Sequence, residues 1–161
     1  MEKKATAIIL AAGAGKRMQA GRNKQFLNLA GQPVLAQTLA VFEACHAIER
    51  IILVAQASEC AYCQREIVAK GGFGKVAAIV PGGSERQDSV YQGLLALPED
   101  CQWVAVHDGA RPLVTAEIIE RVLALSLIHI SGDHCGFYSD GVSAAGVVGP
   151  GQRQPAAGVH Q

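Results

Sequence analysis

The chain has 161 residues and a formal net charge of zero. That length supports one domain around a single core, and the even charge balance excludes the clustered Lys and Arg excess that a broad nucleic-acid footprint requires. With 50% hydrophobic but only 5% aromatic residues, the core is expected to be aliphatic.

Lys3 and Lys4 precede the apolar run Ala5 to Ala14, and Ala12-Gly13-Ala14 has the small residues of a signal-peptidase site. The run is short, broken by glycine and followed at once by Lys16-Arg17, so it is read as part of the fold. Within it, Thr6 to Leu10 suits a buried parallel strand. From Pro33 to Ala44 the residues Leu35, Leu39 and Phe42 recur at helical spacing, with Pro33 placed for a first turn. Ile51 to Val54 reads as a second strand. Ser58 to Lys70 reads as a helix capped by Ser58 and stopped by Gly71-Gly72.

Val76 to Val80 is a third strand, followed by the turn Pro81-Gly82-Gly83 and a helix from Asp88 to Leu97. Trp103 to Val106 is a fourth strand, ending at His107-Asp108. Thr115 then caps a helix on which Ile118, Val122 and Leu125 share a face. Strands alternating with helices across short links imply parallel βαβ units and an α/β sandwich with helices on both faces. No run is long enough to cross a membrane.

The pattern changes near Ser126. Residues 132–161 hold seven glycines, no Lys, no Glu and no sustained periodicity, the composition of a poorly ordered tail lacking a strand. The division expected is therefore 1–125 for the domain and 126–161 for an atypical glycine-rich tail. His129, His134 and Cys135 offer a metal-binding reading of this stretch, which their spacing alone does not favour. Five cysteines, an odd number, fit a reducing cytoplasmic compartment. Cys60 and Cys63 have CxxC spacing, but no second pair follows, and on a helix the spacing is incidental.

Three segments carry chemistry, each leaving the C-terminal end of an expected strand. Leu10-Ala11-Ala12-Gly13-Ala14-Gly15-Lys16-Arg17-Met18, with Lys24-Gln25 after it, is a glycine-rich loop followed by cations, which suits a polyphosphate. It is not a Walker A loop, because Leu10 stands where the first glycine belongs and Arg17 where the hydroxyl belongs. Nor is it a dinucleotide fingerprint, since a third glycine is absent and Ala55-Gln56 replaces the acid after the second strand. Gly82-Gly83-Ser84-Glu85-Arg86-Gln87-Asp88-Ser89-Val90 puts free amides at a helix start, with Arg86 and Ser89 on its first turns. In Val106-His107-Asp108-Gly109-Ala110-Arg111-Pro112, Asp108 suits a magnesium ion beside phosphates, and Arg111 suits a second anion.

Together LAAGAGKRM with KQ, GGSERQDSV and HDGARP, in that order, resemble the 2-C-methyl-D-erythritol 4-phosphate cytidylyltransferase family over roughly residues 5–125. The resemblance implies a Rossmann-like nucleotidyltransferase sandwich with a mostly parallel sheet, Mg²⁺ as cofactor, CTP and a polyol phosphate as substrates, and a homodimer. It implies that Arg17 and Lys24 stabilise the transition state at the α-phosphate. Ala11, Ala12, Gly13 and Gly15 match the loop that holds CTP. Gly82 and Ser89 match positions that recognise cytosine, Asp108 matches the aspartate serving metal and nucleotide, and Arg111 is expected at the acceptor phosphate. Gly109 stands where the family commonly has alanine.

Members of that family continue into a segment that positions the acceptor and forms a dimer arm, with no recognisable counterpart in residues 126–161. This chain is therefore expected to retain the CTP half of the site and to turn over poorly. Two alternatives accompany the resemblance: a ribitol-phosphate cytidylyltransferase, and a non-catalytic nucleotide-binding fragment.

Overall fold

A computed structural model describes residues 4–13, 23–129 and 142–145. Strand β1 (Ala5–Ala11) leads, through a small hairpin of β2 (Asn28–Leu29) and β3 (Gln32–Pro33), into helix α1 (Val34–Ala44). Strand β4 (Ile48–Ala55) follows. Helix α2 (Cys60–Tyr62) widens directly into a π-helical stretch, Cys63–Ala69. Strand β5 (Val76–Pro81), helix α3 (Arg86–Leu95), strand β6 (Val104–Asp108), helix α4 (Ala116–His129) and strand β7 (Val142–Ala145) complete the order.

The main sheet runs β5-β4-β1-β6-β7, parallel except for β7, which pairs antiparallel with β6. Alternation along β1 and β4 splits the core into two layers. Ala7, Ile9, Ala11, Ile51, Leu53 and Ala55 face the layer that also contains Leu35, Leu39 and Phe42 of α1, Cys63 and Ile67 after α2, and Ile119 of α4. Ile8, Leu10, Ile52 and Val54 face the other way, toward Val90 and Leu94 of α3. Gly93 lets α3 lie close, since a Cβ there would stand 2.6 Å from Ile8 Cγ2. The mostly parallel α/β fold with helices on both faces is as the sequence suggests.

Several boundaries move, each for a local reason. Pro33 stands one residue before α1 and not within it. Ser58 is not the cap of the second helix. A 3₁₀ turn, Ala57–Glu59, opens that helical run, and the Gln56 carbonyl accepts the N–H groups of Glu59 and Cys60 at 2.8 and 3.1 Å. The expected glycine stop does hold. Gly72 has φ +67°, donates to the Ala69 carbonyl, and is followed by Phe73 donating to Val68, so the last carbonyls are closed off by a left-handed residue.

Helix α3 begins two residues before Asp88 because Asp88 is a third-position cap: it accepts the Glu85 N–H at 3.0 Å and the Ser84 hydroxyl at 2.9 Å. Thr115 caps α4 as expected, its hydroxyl accepting the Ile118 N–H at 3.4 Å. The buried stripe of α4 differs, however. Ile119 is fully buried with Ala116 and Leu123 packed beside it, while Ile118 and Leu125 are exposed. Helix α4 also continues past residue 125 to His129, and β7 lies where the sequence suggested no strand. Four residues are too few to show an alternation. His134 and Cys135 lie outside the described residues.

Candidate active site

Strand order reverses beside β1. The chain steps from β1 to β4 to β5 on one side, then crosses to place β6 on the other. In such sheets a crevice opens beyond the carboxyl ends of the two strands flanking the reversal. The register pairs Leu10 with Asp108 there, so the residues after Leu10 and after Asp108 emerge side by side. The Gly109 N–H donates to the Leu10 carbonyl at 2.8 Å, joining the two exits.

The first exit is built by backbone acceptors and two glutamines. Ala11 closes β1 and is buried; Ala12 and Gly13 follow. Gln25 is buried and donates its side-chain amide to the Ala11 carbonyl at 2.6 Å. Gln56, at the end of β4, donates to the Ala12 carbonyl at 3.3 Å. Lys24 is exposed on a 3₁₀ turn, Lys24–Phe26, adjacent to the Gln25 anchor. Gly15 and Arg17 lie outside the described residues.

The second exit meets the first by close packing. A Cβ on Gly82 would stand 2.5 Å from Ala12 Cβ and 2.7 Å from Ser89 Oγ, so only glycine allows this approach. Buried Ser89 accepts the Gly83 N–H at 3.2 Å and donates to the Glu85 carbonyl at 3.2 Å. The Gly82 N–H donates to the Ala55 carbonyl at 2.8 Å, which fixes the turn to the end of β4.

The third exit carries the charge. Asp108 Oδ1 accepts from Arg86 Nε and Nη2 at 3.3 and 3.2 Å, and Oδ2 lies 3.4 Å from Arg111 Nε. One carboxylate between two guanidinium groups leaves the trio with a net charge of +1, favourable to an anionic ligand. Both arginines are mostly exposed, at 60% and 59%, so each is free to exchange its partner for a ligand at small cost. His107 is buried, with Nε2 3.0 Å from the Arg111 carbonyl and its ring 5.1 Å from that of Phe42. Thr38 of α1 donates to the Gly109 carbonyl at 2.8 Å. A Cβ on Gly109 would come within 2.9 Å of Leu35 Cδ1 and 3.1 Å of the Leu10 carbonyl oxygen.

Thus Ala11, Ala12, Gly13, Gly82, Ser89, Asp108 and Arg111 are gathered at the carboxyl ends of β1, β5 and β6, with the Lys24 turn anchored to the end of β1. Sequence reasoning missed Arg86 as a partner of Asp108, although its place on the first turn of α3 was visible. It also missed Gln25, Gln56 and Thr38, which act on main-chain carbonyls. The CxxC pair takes no part. Burial pushes the Cys63 thiol up to about 12 and raises that of Cys60, so neither is a ready thiolate near neutral pH. Among the described residues no group of three or more His, Cys, Asp or Glu is placed to hold a metal, and no helix is long and apolar enough to cross a membrane.

A family model for 2-C-methyl-D-erythritol 4-phosphate cytidylyltransferase matches residues 5–135. The protein of that name from Alkaliphilus oremlandii is 50% identical over 123 residues, which are 76% of this chain and 52% of the relative. Its counterpart from Alkaliphilus metalliredigens is 49% identical over 123 residues, 76% of this chain and 51% of the relative. The crystal structure of 4-diphosphocytidyl-2C-methyl-D-erythritol synthase from Anaerococcus prevotii superimposes with a TM-score of 0.65 at 25% identity, covering 87% of this chain and 61% of that one. The chain therefore spans about half the length of the curated relatives it matches.

Proposed function

Because the chain belongs to the 2-C-methyl-D-erythritol 4-phosphate cytidylyltransferase family, we propose that its crevice binds CTP and serves cytidylyl transfer to 2-C-methyl-D-erythritol 4-phosphate with release of pyrophosphate. The observation that carries this reading is the convergence of three exits at one strand-order reversal: Ala12 against Gly82, and Leu10 in register with Asp108. Exposed backbone from Gly83 onward, braced by buried Ser89 through the Gly83 N–H, suits the edge of a base. Amides after Ala11, with the Lys24 turn anchored to the Ala11 carbonyl through Gln25, suit the phosphates.

In the reaction an oxygen of the acceptor's phosphate attacks the α-phosphorus of CTP in line. A new P–O bond forms as the bond to the bridging oxygen breaks, and pyrophosphate departs with the electron pair. A phosphate monoester is already anionic near neutral pH, so no side chain has to remove a proton. The protein's work is orientation and neutralisation of charge. Lys24, with Arg17, serves the developing charge at the α-phosphate, and Arg111 serves the acceptor's phosphate. Asp108 is the carboxylate that would hold Mg²⁺, once Arg86 and Arg111, which occupy its Oδ1 and Oδ2, turn to the substrate phosphates. Held there, the ion would supply positive charge to the triphosphate.

The test is calorimetric titration of the chain with CTP, ATP and NAD, with magnesium and with a chelator. Magnesium-dependent binding that favours CTP is expected. Equal or tighter binding of NAD overturns the reading. Pyrophosphate release with 2-C-methyl-D-erythritol 4-phosphate, compared with ribitol phosphate, then tests the acceptor.

A further inference from the structure

The turn that carries Lys24 is docked onto the start of α2 by two contacts. Asn23, which precedes the turn, donates its side-chain amide to Glu59 Oε1. Phe26, which ends it, meets the ring of Tyr62 edge-on, with centroids 5.1 Å apart and planes at 74°. The Asn23 carbonyl closes the turn by accepting the Phe26 N–H at 3.0 Å, and the Lys24 carbonyl accepts the Leu27 N–H at 3.2 Å. Moving Asn23 therefore moves the backbone on which Lys24 stands. Three residues before Glu59, Gln56 holds the Ala12 carbonyl. One short segment after β4 thus grips both the exit from β1 and the turn of Lys24.

Glu59 is a costly residue for a purely structural contact. Its second oxygen, Oε2, is buried and has no hydrogen-bond partner among the described residues. Desolvation raises its carboxyl above the ordinary glutamate range, and the Asn23 bond only partly opposes that.

We propose that Glu59 is a positioning residue that, through Asn23, fixes Lys24 over the end of β1. The inference rests on the reading of Lys24 as a phosphate-binding cation, and it deepens that reading by naming what sets the cation's place.

Amide hydrogen exchange and CTP titration on the full chain test it. Glu59→Ala and Asn23→Ala should each speed exchange at Phe26 and Leu27 about tenfold, as expected for loss of a charge-assisted bond, with Ile9 and Leu53 nearly unchanged. CTP affinity should fall about fivefold in each, and the double variant should be no worse than either single one. Glu59→Gln keeps an acceptor oxygen and should restore most of both readouts. Unchanged exchange at Phe26 and Leu27 in Glu59→Ala overturns the clamp, whatever happens to CTP. Faster exchange with unaltered affinity, in a chain that binds CTP, shows a structural contact only and overturns the positioning role. If the unmodified chain does not bind CTP, the nucleotide reading fails, and the exchange arm alone decides whether Glu59 holds the Lys24 turn.

Discussion

A methyl group at residue 82 would press on Ala12 and on the Ser89 hydroxyl, both closer than van der Waals contact allows. Neither neighbour yields freely: the Ala12 carbonyl is held by Gln56, and Ser89 is tied to Gly83 and Glu85. Gly82→Ala should therefore cost about 1 kcal/mol of stability, at the low end for overpacking. It should also weaken CTP binding about tenfold by spreading the first two exits. A thermal melt and a titration on the same sample check both, and unaltered CTP affinity would show that this packing does not shape the site. At this scale the sequence was informative about residues with chemistry of their own. Asp108, Lys24 and the glycines stood out. Gln25, Gln56 and Glu59 did not, because their work is to hold a carbonyl or an amide that only the folded chain brings within reach.

Helix α3 tests how element and sheet compete. Alanine is worth about 1 kcal/mol more than glycine inside an exposed helix, so Gly93→Ala would stabilise α3 taken alone. In the fold the added Cβ meets Ile8 Cγ2 at 2.6 Å and Val54 Cγ2 at 3.2 Å, both on stiff, β-branched strand residues. Overpacking of about 1–3 kcal/mol then outweighs the propensity gain. A lower urea midpoint with an unchanged slope is expected; a higher midpoint would show that α3 can lift away freely. Periodicity found every long element, yet could not say which stripe of α4 is buried. Ile118, Val122 and Leu125 repeat as well as Ala116, Ile119 and Leu123 do, and the choice between stripes belongs to the surface beneath, against which Ile119 is packed. Helix starts slipped by one or two residues: at Ser58, where a cap was read from residue type without its partner, and at Asp88, read as the first helical residue although the helix opens at Arg86.

For the molecule as a whole, strand–helix alternation was enough to give the class of fold, but not the order of its strands. That order matters because β6 returns to β1 and not to β5, its predecessor in the chain. The Leu10–Asp108 pairing joins residues 98 positions apart (108 minus 10). Strand β4, by contrast, joins β1 from only about half that separation, as in the pairing of Leu10 with Val54. Closing the longer loop carries the larger entropy cost, and pairings of high sequence separation slow folding. Trp103, the chain's one tryptophan, immediately precedes β6, and its carbonyl accepts the Thr6 N–H at 2.9 Å. Its emission is therefore a natural clock for the arrival of β6 beside β1. In refolding from urea, β1–β6 closure should govern the tryptophan signal, and a variant that weakens the β6 contacts should slow that signal more than one that weakens the β4–β5 contacts. Equal slowing would mean that the two sides of the sheet are built together. If β6 does set the pace, the crevice has no existence in a partly folded chain: its walls are far apart in sequence, and the wall bearing Asp108 arrives only with the strand that Trp103 announces.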